Sequence, residues 1–172
     1  MIVHFYQFDP RGEPANQPAL AGNMAFRTWT TGDGLRLARR PIHLAWWMMA
    51  RLGFLRGELI ELGIKRDGVL VQRLIVTPPW HRFPFMGSDD VQIGDVWTAP
   101  AARRMKLARA AMIEARRRFE RPQGKLWYLA DANNRASAAL ARSCGFRLVA
   151  TGIRTRPLNI GLLGQYVITR TV

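Results

Sequence analysis

Cysteine is almost missing from this chain: Cys144 is the single one, so no internal disulfide can form. A disulfide-stapled scaffold is excluded, and nothing calls for an oxidising compartment. Long apolar runs are missing too. The longest, residues 42–50, is interrupted by His43 and closed by Arg51. It falls far short of the roughly 20 residues that a helical membrane span needs. The first ten residues lack a charged start followed by a long apolar stretch, so they do not read as an export signal. The expectation is a cytoplasmic protein, at most peripheral on a membrane.

Acidic residues are scarce: 12 Asp and Glu stand against 26 Lys and Arg, a formal net charge of +14. Such a field gathers anionic partners and says nothing about fold. Arginine dominates lysine, which suits two-pronged contacts to phosphate, although a genomic codon bias explains the same excess. With 48% hydrophobic and 22% charged residues the composition is that of an ordinary globular protein. A chain of 172 residues fits one domain, residues 1–172, with a full core.

What is present centres on residues 91–146. VQIGDVWTAP reads as a strand stopped by Pro100. AARRMKLARAAMIEARRRF follows with helical spacing, then KLWYLAD as a second strand and NNRASAALARSCGF as a second helix. The basic turn lies where the first strand feeds the first helix. Such a junction turns unpaired N–H groups and the positive end of a helix dipole outward, where a phosphate fits.

Three features of this stretch together resemble the donor-binding core of the GNAT superfamily of acyl-coenzyme A N-acyltransferases. Thr98-Ala99-Pro100 closes the strand. Arg103-Arg104-Met105-Lys106-Leu107-Ala108 opens the helix, similar to the family's Arg/Gln-x-x-Gly-x-Gly/Ala. Asn134 is followed eleven residues on by Gly145-Phe146. The chain departs from the pattern where Lys106 and Arg104 replace glycines, and where Ala141 replaces the tyrosine that protonates the departing thiolate in many members.

The resemblance implies an α/β (α+β) fold: a mixed, mostly antiparallel sheet of six to seven strands, helices on both faces, order βααβββαβαββ. It implies direct acetyl transfer from acetyl-coenzyme A to a primary amine, with no metal. Val96, Trp97 and Thr98 would hold the pantetheine arm, one of their backbone N–H groups serving as oxyanion donor. Arg103, Arg104, Met105, Lys106, Leu107 and Ala108 would hold the pyrophosphate, mostly through main-chain N–H groups. Asn134 is the family's usual donor contact, though an N-cap role alone explains it.

The flanks read as follows. Residues 1–8 alternate as a strand, and residues 9–34, rich in Pro, Gly, Asn and Thr, read as a loop. Asp33 is a candidate N-cap for a helix from Leu35, which Pro41 divides from a longer helix over 42–52. That helix is apolar nearly all round. Either it lies buried under the sheet, or Trp46, Trp47, Met48 and Met49 line an acceptor pocket or meet a membrane or partner. Residues 57–65 and 68–77 form a hairpin about Asp67-Gly68. Trp80 and Phe83, in the loop 78–90, join Trp46 as candidate acceptor contacts. Residues 147–153 and 165–171 close the sheet.

Asp95 is the first candidate for general base, the one carboxylate inside an otherwise apolar strand; burial there would desolvate it, which suits a base. It could equally cap a bulge or pair with an arginine. His81 is the second candidate, in the aromatic loop. His4 and His43 have weaker cases, His43 reading rather as a satisfied core histidine. Ser137, Ser143, Cys144 and Tyr128 are the candidate acids. The positive charge suits an anionic acceptor such as an amino sugar on a nucleotide or glycolipid carrier. Two rivals stay open: an acyl carrier protein as donor, docked on the Arg-rich helix, or a non-catalytic GNAT-like domain binding an anionic partner. Nucleic acid ranks last, because no aromatics interleave the cluster at residues 116–118. The oligomeric state is open, a homodimer included.

Overall fold

The computed structural model describes residues 1–10, 19–33, 41–120, 123–157 and 164–172. Its elements are β1 (Ile2–Phe8), β2 (Met24–Thr30), α1 (Pro41–Arg51), β3 (Ile60–Arg66), β4 (Val69–Thr77) and β5 (Val91–Thr98). They continue with α2 (Leu107–Phe119), β6 (Leu126–Asp131), α3 (Arg135–Ser143), β7 (Phe146–Arg154) and β8 (Tyr166–Thr171). One sheet of eight strands runs in the order β2-β3-β4-β5-β6-β1-β7-β8. Among the described residues only β5 and β6 pair in parallel, so the sheet is mixed and mostly antiparallel.

The strand count corrects the expectation of six to seven. The extra strand is β2, inside the stretch read as a loop, and it pairs along its full length with β3. β2 is an edge strand in which Trp29 alone is buried; pairing on one side only leaves little hydrophobic alternation to detect. The short helix expected from Leu35 lies outside the described residues. The hairpin expected about Asp67-Gly68 is present, both residues adopting positive φ (50° and 80°), the geometry of a tight primed turn.

Alternation along β4 assigns its residues to two faces. Leu74 and Val76 join the large core beneath α2 and α3, with Tyr6, Ile93, Met112 and Phe146. Ile75 faces the other way, into a smaller cluster with Trp29, Leu55 and Leu59, against which Trp46 and Met49 of α1 pack. Helices thus lie on both faces. α2 presents Ala110, Ala111 and Ala115 to the sheet, small residues that let it approach closely, and Met112 fills the remaining gap. Truncating a fully buried methionine such as this one to alanine costs roughly 2–5 kcal/mol.

α1 departs from the reading of a helix buried all round. Trp46 and Met49 turn inward, while Leu44 and Met48 are exposed. His43 on the same helix is buried; its Nε2 lies 3.2 Å from Glu61 Oε2 and its ring stacks on Trp29 at 4.1 Å. His43 is therefore the satisfied core histidine that the sequence suggested, fastening α1 to β3.

Candidate active site

β5 and β6 run side by side only at Val91, Gln92 and Ile93, paired with Leu126, Trp127 and Tyr128. Asp90 pins this closed end. Its carboxylate accepts bonds from the Gly87 and Lys125 main-chain N–H groups (3.0 and 2.8 Å) and from the Trp127 indole (2.8 Å). Beyond Ile93 the strands part, so main-chain groups of β5 on that side have no strand to pair with.

The opening begins at a bulge. The register between β4 and β5 shifts between Arg73 and Ile75, and Asp95 takes a positive φ of 47°. A bulge re-aims the strand and its side chains. Asp95 consequently points outward: its side chain is 56% exposed and ion-paired with Arg73, whose guanidinium also donates to the Asp95 carbonyl at 3.3 Å. The expectation of a buried, desolvated carboxylate is thereby corrected, and the reading as an arginine-paired bulge residue describes it. Arg73 lies cross-strand from Trp97 and its guanidinium stands 5.8 Å from that ring. Trp97 is exposed, Val96 packs on the main core, and Thr98 pairs with Gln72.

After Thr98 the chain makes a 3₁₀ turn, Pro100–Ala102, and then the basic loop. Arg104 and Lys106 both adopt the left-handed conformation, φ 66° and 57°. These are two positions at which the family pattern has glycine, so the loop keeps a glycine-like path without glycine, at a cost of roughly 1–2 kcal/mol per residue. Arg103, Arg104, Met105 and Lys106 are all exposed. Lys106 is the N-cap of α2 and offers no side-chain acceptor, so the amides of Leu107 and Ala108 have no partner within the helix. Asn134 caps α3, its Oδ1 accepting from the Ser137 N–H at 3.0 Å. Gly145 ends that helix at φ 85°, as its position predicts.

On the α1 face, a cavity of about 450 Å³ reaches the bulge. Trp46, Trp80 and Phe83, the three candidate acceptor contacts, all line it, together with Gly94 and Asp95. Met49 lines it as well. His81 does not; it is exposed on the outer side of the loop, edge-on to Trp80 at 4.7 Å. Arg82, Leu129 and Tyr166 are among the further lining residues, none of them singled out beforehand. Arg82 adjoins Trp80 in a loop already marked as aromatic, which was a usable signal. Tyr166 comes from the edge strand β8, expected as a closing strand over 165–171, although no local pattern places it beside the cavity.

Of the candidate acids, Tyr128 and Cys144 are buried on the α2–α3 face. Burial pushes both groups up; a hydrogen bond from Ser137 opposes this at Tyr128, and one from Ser143 at Cys144. Both remain protonated near neutrality, which removes Cys144 as a ready nucleophile and leaves Tyr128 a potential proton donor. Ala141 is fully buried where the resemblance places a tyrosine.

The sequence model of the acetyltransferase (GNAT) family matches residues 25–146. The chain belongs to the GNAT acetyltransferase family. Among solved structures, this GNAT chain is similar to a Drosophila protein (TM-score 0.59, 18% identity, 87% of this chain and 48% of the other). It is similar also to a tandem GNAT protein from the clavulanic acid biosynthesis pathway (0.60, 17%, 86% and 50%). A third is a GCN5-related N-acetyltransferase from Sphaerobacter thermophilus (0.56, 16%, 87% and 49%). At these identities the likeness is one of fold. The chain spans about half the length of these structures. Comparison with curated proteins gives no match.

Proposed function

We propose that the protein transfers an acetyl group from acetyl-coenzyme A directly to a primary amine of a small acceptor. The observation that carries this reading is the meeting of two features at one point of the sheet: the parting of β5 from β6 beyond Ile93, and an acceptor-sized cavity that reaches Gly94 and Asp95 from the α1 face. The donor's diphosphate would rest on the amides at the start of α2, supported by Arg103 and Arg104, with Asn134 as a further contact. Its pantetheine arm would lie along Val96, Trp97 and Thr98. The acceptor nitrogen attacks the thioester carbon, the new C–N bond forms as the C–S bond breaks, and coenzyme A leaves as thiolate. A main-chain N–H of β5 at the opening would stabilise the oxyanion. Asp95 is the base on this reading, taking the proton of the amine at the cavity mouth.

Neither departure at the basic loop stands against donor binding, because Arg104 and Lys106 reproduce the positive φ of glycine. A docked acyl carrier protein draws less support. Arg116 lies over the Phe8 ring at 4.7 Å, and Arg117 and Arg118 are engaged by Glu114, so the arginine cluster is largely occupied within the fold. Thermal shift with acetyl-coenzyme A, and release of free thiol in the presence of an amine panel, test the reading. No stabilisation by acetyl-coenzyme A at saturating concentration would reject it.

A further inference from the structure

The make-up of the cavity on the α1 face discriminates among amines, given the transfer reading above. Its floor is core: Leu55, Leu59 and Ile75 belong to the buried cluster against which α1 packs, and all three line the cavity. Trp46 and Met49 border it from α1, Trp80 and Phe83 from the loop 78–90. The wall is fastened before any ligand arrives. Leu55 bridges to Trp80, the Arg56 N–H donates to the Pro79 carbonyl at 3.2 Å, and the Tyr166 N–H donates to the Arg82 carbonyl at 2.9 Å. Phe83 stacks on Tyr166 at 5.5 Å and meets Trp80 edge-on at 6.1 Å. A cavity held in this way receives a flat apolar body with little reorganisation. Three of the polar groups on the lining are already engaged within the protein. Asp95 pairs with Arg73, and the Gln92 amide donates to the Ile93 carbonyl at 2.6 Å. Arg82 lies over the Trp80 and Tyr166 rings and has further interactions besides.

We infer that the acceptor is a primary amine on a flat, apolar body that carries no second charge, the body lying among the aromatic side chains and the amine toward Gly94 and Asp95. Three classes fit the lining less well. An amino sugar would strip water from several hydroxyls against side chains that cannot replace it. A polyamine brings a second ammonium, and among the described residues Asp95 is the one carboxylate on the lining. An amino acid needs a cation for its carboxylate, and Arg82 is engaged already. The net charge of +14 invites an anionic acceptor, but salt screens that field within about 10 Å, whereas the lining acts at contact.

A panel of amines tests this without requiring turnover. Binding of phenethylamine, ethanolamine, glucosamine, spermidine and L-phenylalanine to the full chain is followed by calorimetry, with and without coenzyme A, and acetylation from acetyl-coenzyme A is measured in parallel. Phenethylamine should bind at least about tenfold more tightly than each of the others, a modest part of what burying an aromatic ring contributes. Equal binding of ethanolamine, preference for glucosamine, spermidine or phenylalanine, or failure of every amine to bind overturns the inference. A variant locates the site. Ala45 is exposed on α1 and lines the cavity, so Ala45→Trp fills the space from a position outside the core. It should weaken phenethylamine binding at least about tenfold while coenzyme A binding stays level; unchanged phenethylamine binding would place the amine elsewhere and overturn the inference. If Ala45→Trp fails to fold, the wild-type ratios alone decide. A phenethylamine preference without acetyl transfer would uphold this inference while rejecting the transfer reading. Acetylation of glucosamine or spermidine ahead of phenethylamine would do the reverse.

Discussion

The Trp127 indole donates to Asp90 Oδ2 at 2.8 Å, joining the beginnings of the two parallel strands at the end opposite their opening. The same carboxylate also holds the main chain at Lys125, so one buried acidic side chain sets the register from which β5 and β6 diverge. Asp90→Ala leaves an indole N–H and two main-chain donors without their acceptor. Stability should fall by about 3 kcal/mol, since bonds to a charged acceptor are each worth roughly 1.5–3 kcal/mol. A lowered urea midpoint at unchanged slope checks it, and a shift near zero would remove Asp90 from this role.

Asp95→Asn keeps the size of the bulge side chain and removes its negative charge. Turnover should drop about 100-fold or more, the usual contribution of a positioned base, while coenzyme A binding by calorimetry stays nearly unchanged. Equal turnover would reject Asp95 as base and turn attention to solvent.

Glu114 lies within α2 at 2% exposure, hydrogen-bonded by Arg118 at 2.6 Å and paired with Arg117 at 3.2 Å. Burial alone would raise this carboxyl; the bonds from Arg118 and Arg117 outweigh it and hold the group below its ordinary value. A depressed folded-state value stabilises the protein above the ordinary carboxylate range, and that stability disappears as pH falls through the depressed value. Glu114→Gln should therefore cost about 2 kcal/mol near neutrality, and the gap to wild type should shrink in strong acid. Urea midpoints of both proteins across that range test the sign; a gap that grows in acid would refute it.

Lys106 adopts a backbone conformation that glycine takes without penalty. Lys106→Gly should leave stability level or raise it by up to about 1 kcal/mol, the relieved strain being offset partly by the greater freedom of glycine in the unfolded chain. Lys106→Val should lower it by more than about 1 kcal/mol, because a branched side chain tolerates this conformation worst. Thermal melts of the two variants give the comparison.

The central βαβα unit was legible because its signals are local: Pro100 stops a strand, Asn134 caps α3, and Gly145 ends it. The Asp67-Gly68 turn was legible for the same reason. What escaped depends on distant partners. Met24–Thr30 becomes a strand because β3 lies beside it, and nothing within those seven residues demands that. The exposure of Asp95 follows from a one-residue bulge against β4, invisible in a strand that reads as apolar. Arg82 and Tyr166 share a wall although β8 is far away in sequence. Trp46, Trp80 and Phe83 could be named as a set because bulky aromatics in an otherwise polar loop and beside a sheet converge on few places.

β1 is bonded on one side to β6, Val3 opposite Asp131, and on the other to β7, Ile2 opposite Ile153. Both neighbours of this strand lie far along the chain, so it is a keystone set late. Until β6 has been made, the ribbon carrying Val3, Phe5 and Tyr6 has neither neighbour, and until β7 follows it lacks one, so it stays open to wrong pairings. Folding that waits on such distant closures is slow, so the yield of native protein should depend on how well this ribbon is shielded during translation, and a chaperone that holds it would matter more than one acting after release.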